Sequence, residues 1–150
     1  MSSTLYLPAL GIVNALGWGA DEVARRLACG DTSSMVLVDE LLPSGPARIG
    51  RVRGQLPEVP PVLADFASRN NSLLLAALAQ IRPEVDALIA RFGGERVGIV
   101  LGTSTSGIAE GEAAIAAHRA SGVLPAGFSY AQQELGAPAI FLARVLNING

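Results

Sequence analysis

Apolar positions fall into short runs separated by Gly- and Pro-rich turns, and the period of those runs changes along the chain. Residues 5–13 are mostly apolar and read as a strand, with Gly11 marking a tight spot. Residues 20–29 read as a short helix. Asp21 and Glu22 suit its first turn, Arg25 and Arg26 lie nearer its end, and Gly30 comes next as a stop. Residues 35–42 and 47–53 are two short strands around Pro43-Ser44-Gly45-Pro46, a hairpin or loop-linked pair. Residues 55–61 form a Pro-rich extended connector. Leu74, Leu78, Ile81, Val85, Leu88 and Phe92 then recur at alternating steps of four and three, one face of a helix. Asn70, Asn71 or Ser72 is expected to cap it, Pro83 to kink it or start a second helix, and Gly93-Gly94 to end it. Residues 97–101 (VGIVL) have no polar face, which predicts a buried central parallel strand with helices on both sides. Helices are expected over 108–120 and 130–146, with 147–150 turning back toward a sheet.

This order predicts an α/β layout. A βα unit is completed by a following strand, and none lies within 1–150, so the open end is expected to be a cut through a larger domain.

Composition narrows the function. At 150 residues and 15.4 kDa the chain has room for one domain. Half is hydrophobic and 16% is charged, against about 25% charged in a typical soluble domain. That excludes intrinsic disorder and predicts surface buried against a partner or against the rest of a longer chain. A net charge of −2 gives no attraction to phosphate backbones, so no nucleic-acid partner is expected. All eleven basic residues are Arg, which removes Lys chemistry. One Cys allows no internal disulfide and no Cys-based zinc site. Residues 1–20 carry no charge, yet no basic segment precedes the apolar part, and Pro8, Gly11, Asn14, Gly17 and Gly19 interrupt it. A signal peptide or membrane span is therefore not expected, and the chain is assigned to the cytoplasm.

Three places could carry chemistry. Cys29 ends a helix, where the dipole disfavours a thiolate, so it reads as a small cap residue. His118 lies near the end of a solvated helix with no evident triad partner. The segment 102–107 (GTSTSG) leaves a buried strand and enters a helix, the usual place for phosphate loops and nucleophile elbows. Ile108 and Ala109 replace the Lys and Ser/Thr of a Walker A loop, and the closing Gly of G-x-S-x-G is one residue late. Taken alone, the segment reads as a strand-to-helix turn whose hydroxyls bond the free helix N–H groups, or as an anion nest of a nucleotide-binding α/β module.

Read together, the segments resemble the N-terminal part of a β-ketoacyl-acyl-carrier-protein synthase, a condensing enzyme of the thiolase-like fold. The resemblance rests on LGIVNALGWG (10–19), VARRLACGDTS (23–33), ERVGIVLGTSTSGI (95–108) and GFSYAQQELGAPAIFLARVLNING (127–150), in that order. GTSTSG and QQELGAP look most like synthases of the aryl-polyene type. The resemblance implies a layered α/β/α fold truncated before the nucleophile strand, with 1–150 an incomplete N-terminal domain. It implies decarboxylative condensation of an acyl thioester with malonyl-acyl carrier protein, in fatty acid, polyketide or aryl-polyene biosynthesis, with no cofactor and no metal. The Cys nucleophile and two His are expected beyond Gly150, so the 150 residues by themselves are expected to be inactive. The turn bordering the acyl pocket near the dimer seam corresponds to Ser104, Thr105 and Ser106. Phe128 corresponds to an aromatic that closes the pocket across the dimer. The implied partners are acyl carrier protein and a second synthase chain, identical or a sister subunit. A non-catalytic, chain-length-factor-like subunit is the alternative that the resemblance leaves open.

Overall fold

A computed structural model describes residues 5–39 and 41–149. Glu40, within the expected second strand, and Gly150 lie outside the described residues. The elements in chain order are β1 (Val13–Asn14), β2 (Gly17–Trp18), α1 (Ala20–Ala28), β3 (Met35–Val38), β4 (Ala47–Gly50), α2 (Arg69–Phe92), α3 (Ile108–Ser121) and α4 (Ala137–Leu146). Single 3-10 turns span Gly94–Arg96 and Tyr130–Gln132, and two such turns joined by a kink at Leu63 span Pro61–Phe66. The chain is mixed α/β, and it divides into two compact units. One holds Met1–Gln55 with Ala76–Glu84; the other holds Leu56–Leu75 with Val85–Gly150.

In the first unit β1 and β2 form a tight antiparallel hairpin, Val13 opposite Trp18. Asn14 closes the turn by accepting the Leu16 N–H at 2.8 Å. One strand is expected over residues 5–13, but only Val13 enters a ladder, and Leu5 and Leu7 are 90% and 96% exposed. The Ile12 carbonyl accepts the Gly19 N–H at 2.8 Å, and on its other side Ile12 pairs with a side chain. The Gln80 amide accepts the Ile12 N–H and donates to the Ile12 carbonyl, each at 3.0 Å, as a neighbouring strand would. Gly11 allows this approach, since a Cβ there would overlap the Ala77 carbonyl. β3 and β4 pair antiparallel with Val36 opposite Ile49, as the two expected strands around 43–46 require.

α1 ends as its sequence predicts, with Cys29 as C-cap and Gly30 at a positive φ of 61°. Arg26 ties its last turn to the loop before β3, holding Asp31 at 2.9 Å, and also donates to the Leu16 carbonyl. Asp31 accepts the Ser33 backbone N–H at 2.8 Å. That bond first, then the Ser33 hydroxyl and the Arg26 charge, hold the Asp31 carboxyl below its ordinary 3.8. A depressed folded-state value stabilises the fold above the unfolded value and is lost as pH falls through the folded one. Acid denaturation followed by circular dichroism is therefore expected to show an Asp31-dependent loss only below pH 3.8. Asp31→Asn should be less stable at neutral pH and flatter in acid; a parallel acid limb in both proteins would refute this.

In the second unit the core gathers on α4. Phe141 is fully buried with its ring 6.0 Å from that of Phe66, and the Arg144 guanidinium lies 4.9 Å over Phe66. Ala137, Pro138, Leu142, Leu146 and Ile148 are buried with them. α2 starts one turn earlier than its apolar spacing suggests. Ser68, not Asn70, Asn71 or Ser72, is the N-cap, and its hydroxyl accepts the Asn71 N–H at 3.2 Å. Asn71 is buried and donates to the Phe66 carbonyl at 2.7 Å, so it pins the preceding turn rather than capping. α2 runs unbroken through Pro83 and ends at Gly93, φ 81°. Pro83 withdraws a donor from the Ala79 carbonyl, and both residues are exposed, where water can replace it.

The structure corrects two expectations. Residues 97–101 are extended but join no ladder among the described residues, and Val100 is fully exposed while Val97, Ile99 and Leu101 are half-buried. A central strand is buried by neighbours on both edges, and no described strand runs beside this one. The single helix expected over 130–146 is instead a 3-10 turn, a short link and α4. Pro138 would clash with the Glu134 carbonyl in a continuous helix, so it sits in the first turn of a new one.

Candidate functional site

The GTSTSG segment and the aromatic loop, both in the second unit, meet at the start of α3. Thr103 and Thr105 close a local turn: the Thr103 hydroxyl donates to the Thr105 carbonyl at 2.6 Å and accepts its N–H at 3.4 Å. Ser104 and Thr105 are exposed. Ser106 is 3% exposed, and its hydroxyl donates to the Gln132 carbonyl at 3.3 Å. Gly107 is the N-cap of α3 in the left-handed region, φ 52°, and no side chain caps the helix. The hydroxyls therefore do not bond the free helix N–H groups, as the isolated segment suggested. Those of Thr103 and Ser106 bind backbone carbonyls and fix the loop instead.

α3 can approach the aromatic loop closely because its N-cap is a glycine. A Cβ on Gly107 would fall 2.6 Å from the Gln132 carbonyl carbon, whereas one on Gly111, a turn later, would meet only the end of the flexible Gln133 side chain. Glu110, on the same turn, accepts the Arg69 N–H at 2.9 Å and places a carboxylate at the α2 N-terminus, where the dipole favours it. Sequence reasoning missed this approach, although a Gly at the head of a helix was a readable signal for close backbone packing.

Two small cavities flank this junction. One, about 210 Å³, is lined by Thr105, Ser106 and Ile108 with Arg69, Asn70 and Leu73 of α2. The other, about 190 Å³, is lined by Phe128, Pro125 and Gln132 with Ala113 and Ala114 of α3. Glu110 borders both. Thr105 and Phe128 thus sit on opposite sides of the first turns of α3. A larger cavity of about 530 Å³ lies elsewhere in this unit, between Val62-Leu63 and the C-terminal half of α4, and includes Arg144. Nothing in the sequence pointed to it, because it forms between segments some 80 residues apart.

The arrangement offers shape rather than reactivity. Cys29 is exposed in the first unit. His118 is exposed in the last turn of α3, with no bonded carboxylate or hydroxyl among the described residues. No group of three or more His, Cys, Asp or Glu that could hold a metal occurs among the described residues. No described helix is long and apolar enough to cross a membrane.

No protein-family model and no curated protein matches the chain. A solved structure does. Over 95% of its length the chain is similar to a chain of the complex of the ketosynthase ApeO with its chain length factor ApeC from Xenorhabdus doucetiae, at 42% identity and a TM-score of 0.85. It spans 37% of that chain's length. At such identity the likeness extends beyond the fold to the sequence. By sequence and fold the chain belongs with ketosynthases and their chain length factors, over the part of such a chain that it spans.

Proposed function

We propose that this chain is the N-terminal part of a condensing enzyme that joins an acyl thioester to malonyl-acyl carrier protein, in biosynthesis of the aryl-polyene type. The observation that carries this reading is the 42% identity to a chain of a ketosynthase–chain length factor complex. In such a reaction a Cys thiolate takes the acyl group and releases the carrier thiol. Malonyl thioester then loses carbon dioxide, and the resulting carbanion attacks the acyl thioester and expels the Cys thiolate. None of these reacting groups is assigned to residues 1–150. Their part is to shape the acyl site. Thr105 and Ser104 face it from the exposed side of the turn, Ser106 holds the turn from behind, and Phe128 closes it from a second chain. One added or missing methylene is worth about 1–3 kcal/mol in an apolar pocket, so such walls can select chain length.

A second reading has a specific observation in its favour: the matching structure contains a chain length factor beside its ketosynthase. On that reading this chain is a non-catalytic partner that shapes the pocket of a sister subunit. The residue at the helix start after the next strand separates the two. Reading the gene beyond codon 150 and incubating the full-length protein with acyl-carrier protein before intact mass analysis tests both at once. A Cys there with an acyl adduct on it is the expected result. A different residue and no adduct would establish the partner reading, and an adduct on Cys29 would overturn both.

A further inference from the structure

In the aromatic loop (residues 124–133) the Ser129 and Gln132 side chains form a capping box, and Gln132 reaches furthest across the loop. Gln132 is 5% exposed, and its amide reaches both peptide groups that flank Phe128. Its Oε1 accepts the Ser129 N–H at 3.1 Å, and its Nε2 donates to the Gly127 carbonyl at 3.2 Å. Its backbone N–H bonds the Ser129 carbonyl at 3.0 Å, which closes the turn. Its own carbonyl receives the Ser106 hydroxyl and occupies the space that a Cβ on Gly107 would need. A single residue therefore binds the loop on either side of Phe128 and locks it to the GTSTSG turn that presents Thr105. Only an amide satisfies both flanks: Glu offers acceptors alone, and an apolar residue offers neither.

We infer that Gln132 is a positioning residue that sets where Phe128 stands on its loop, and through that the length of acyl chain accommodated in the site of the second chain that Phe128 closes. This rests on the proposed place of Phe128 at the acyl site. Phe128 is otherwise tied by its own N–H, which donates to the Pro125 carbonyl at 3.0 Å. It is half-buried, lies between an exposed Gly127 and a half-buried Ser129, and faces the small side chains of Ala113 and Ala114 across a cavity. Loosening Gln132 would let the ring wander without disturbing the Phe66–Phe141 core, in which it has no part.

The test uses the full-length protein with any partner subunit it purifies with. Amide hydrogen exchange is read over residues 124–133, and product chain length is read from the condensation assay. Gln132→Ala is expected to speed exchange at Ser129 about tenfold, the loss of one net hydrogen bond. It should also broaden the range of product lengths while exchange in α4 stays unchanged. Gln132→Glu keeps the acceptor for Ser129 and should restore that protection while remaining broader in product length than the wild type. If Gln132→Ala fails to fold, Gln132→Leu, which keeps the side-chain volume and offers neither flank a partner, provides the same comparison. Unchanged exchange at Ser129 in Gln132→Ala would overturn the inference whatever the products. Faster exchange with an unchanged product range would instead overturn the acyl-site reading of Phe128, and the specificity claim with it.

Discussion

Phe141→Ala is expected to destabilise the protein by about 3–5 kcal/mol, the range for removing a large ring from a core that cannot collapse around the gap. Phe141 is fully buried, its neighbours Pro138 and Leu142 on α4 are buried too, and Phe66 packs against it at 6.0 Å. The loss should also release Phe66, which carries the Arg144 guanidinium on its face at 4.9 Å and whose carbonyl receives the Asn71 amide. The first turn of α2 is coupled to the same ring pair through that amide. Ile140→Ala, one residue away and 48% exposed, is the comparison, with an expected cost of roughly 1 kcal/mol from lost apolar burial. Urea denaturation of both variants decides it. If Ile140→Ala costs as much as Phe141→Ala, the core does not centre where the structure places it.

Gly107→Ala should cost roughly 2–5 kcal/mol, from two sources that a control can separate. A non-Gly residue in the left-handed region costs about 1–2 kcal/mol, and forcing an atom into packed structure about 1–3 more. At Gly107 both apply: φ is 52°, and the added Cβ would lie 2.6 Å from the Gln132 carbonyl carbon. Gly122, which ends the same helix, has φ 77° and nothing within 4 Å of an added Cβ. Gly122→Ala should therefore show the conformational part alone, about 1 kcal/mol. The excess at Gly107 measures how tightly the GTSTSG turn is docked on the aromatic loop. Equal melting temperatures for the two variants would mean that the dock is loose, and product length should then respond to neither.

The elements readable from the sequence were those whose causes are local. α1 carries acids in its first turn, arginines in its last and a Gly at its stop, all within eleven residues. The β3–β4 pair is declared by two apolar runs around a Pro-Gly turn. Gly107 and Gly122 bracket α3. Where two local signals competed, the sequence misled. Asn70, Asn71 and Ser72 all resemble caps, yet Ser68 holds the position, because Asn71 is drawn into the core by the Phe66 carbonyl. The apolar run over 130–146 looks continuous, and the steric demand of Pro138 divides it.

The family, too, was legible in the ordered motifs, since a resemblance read from wording along the chain does not depend on which distant segments meet. What only the tertiary structure decided is non-local. Ile12 finds its hydrogen bonds on Gln80, 68 residues away. Residues 97–101 are apolar enough for a sheet centre, but a strand is buried only by neighbours, and composition cannot supply them. Ser106 was readable as a hydroxyl in a promising loop. That it is buried and faces the Gln132 carbonyl, while Thr105 beside it stays exposed, depends on a segment 26 residues further on. Periodicity and caps act through neighbours along the chain, whereas pairing, burial and the meeting of two loops depend on which distant segment arrives.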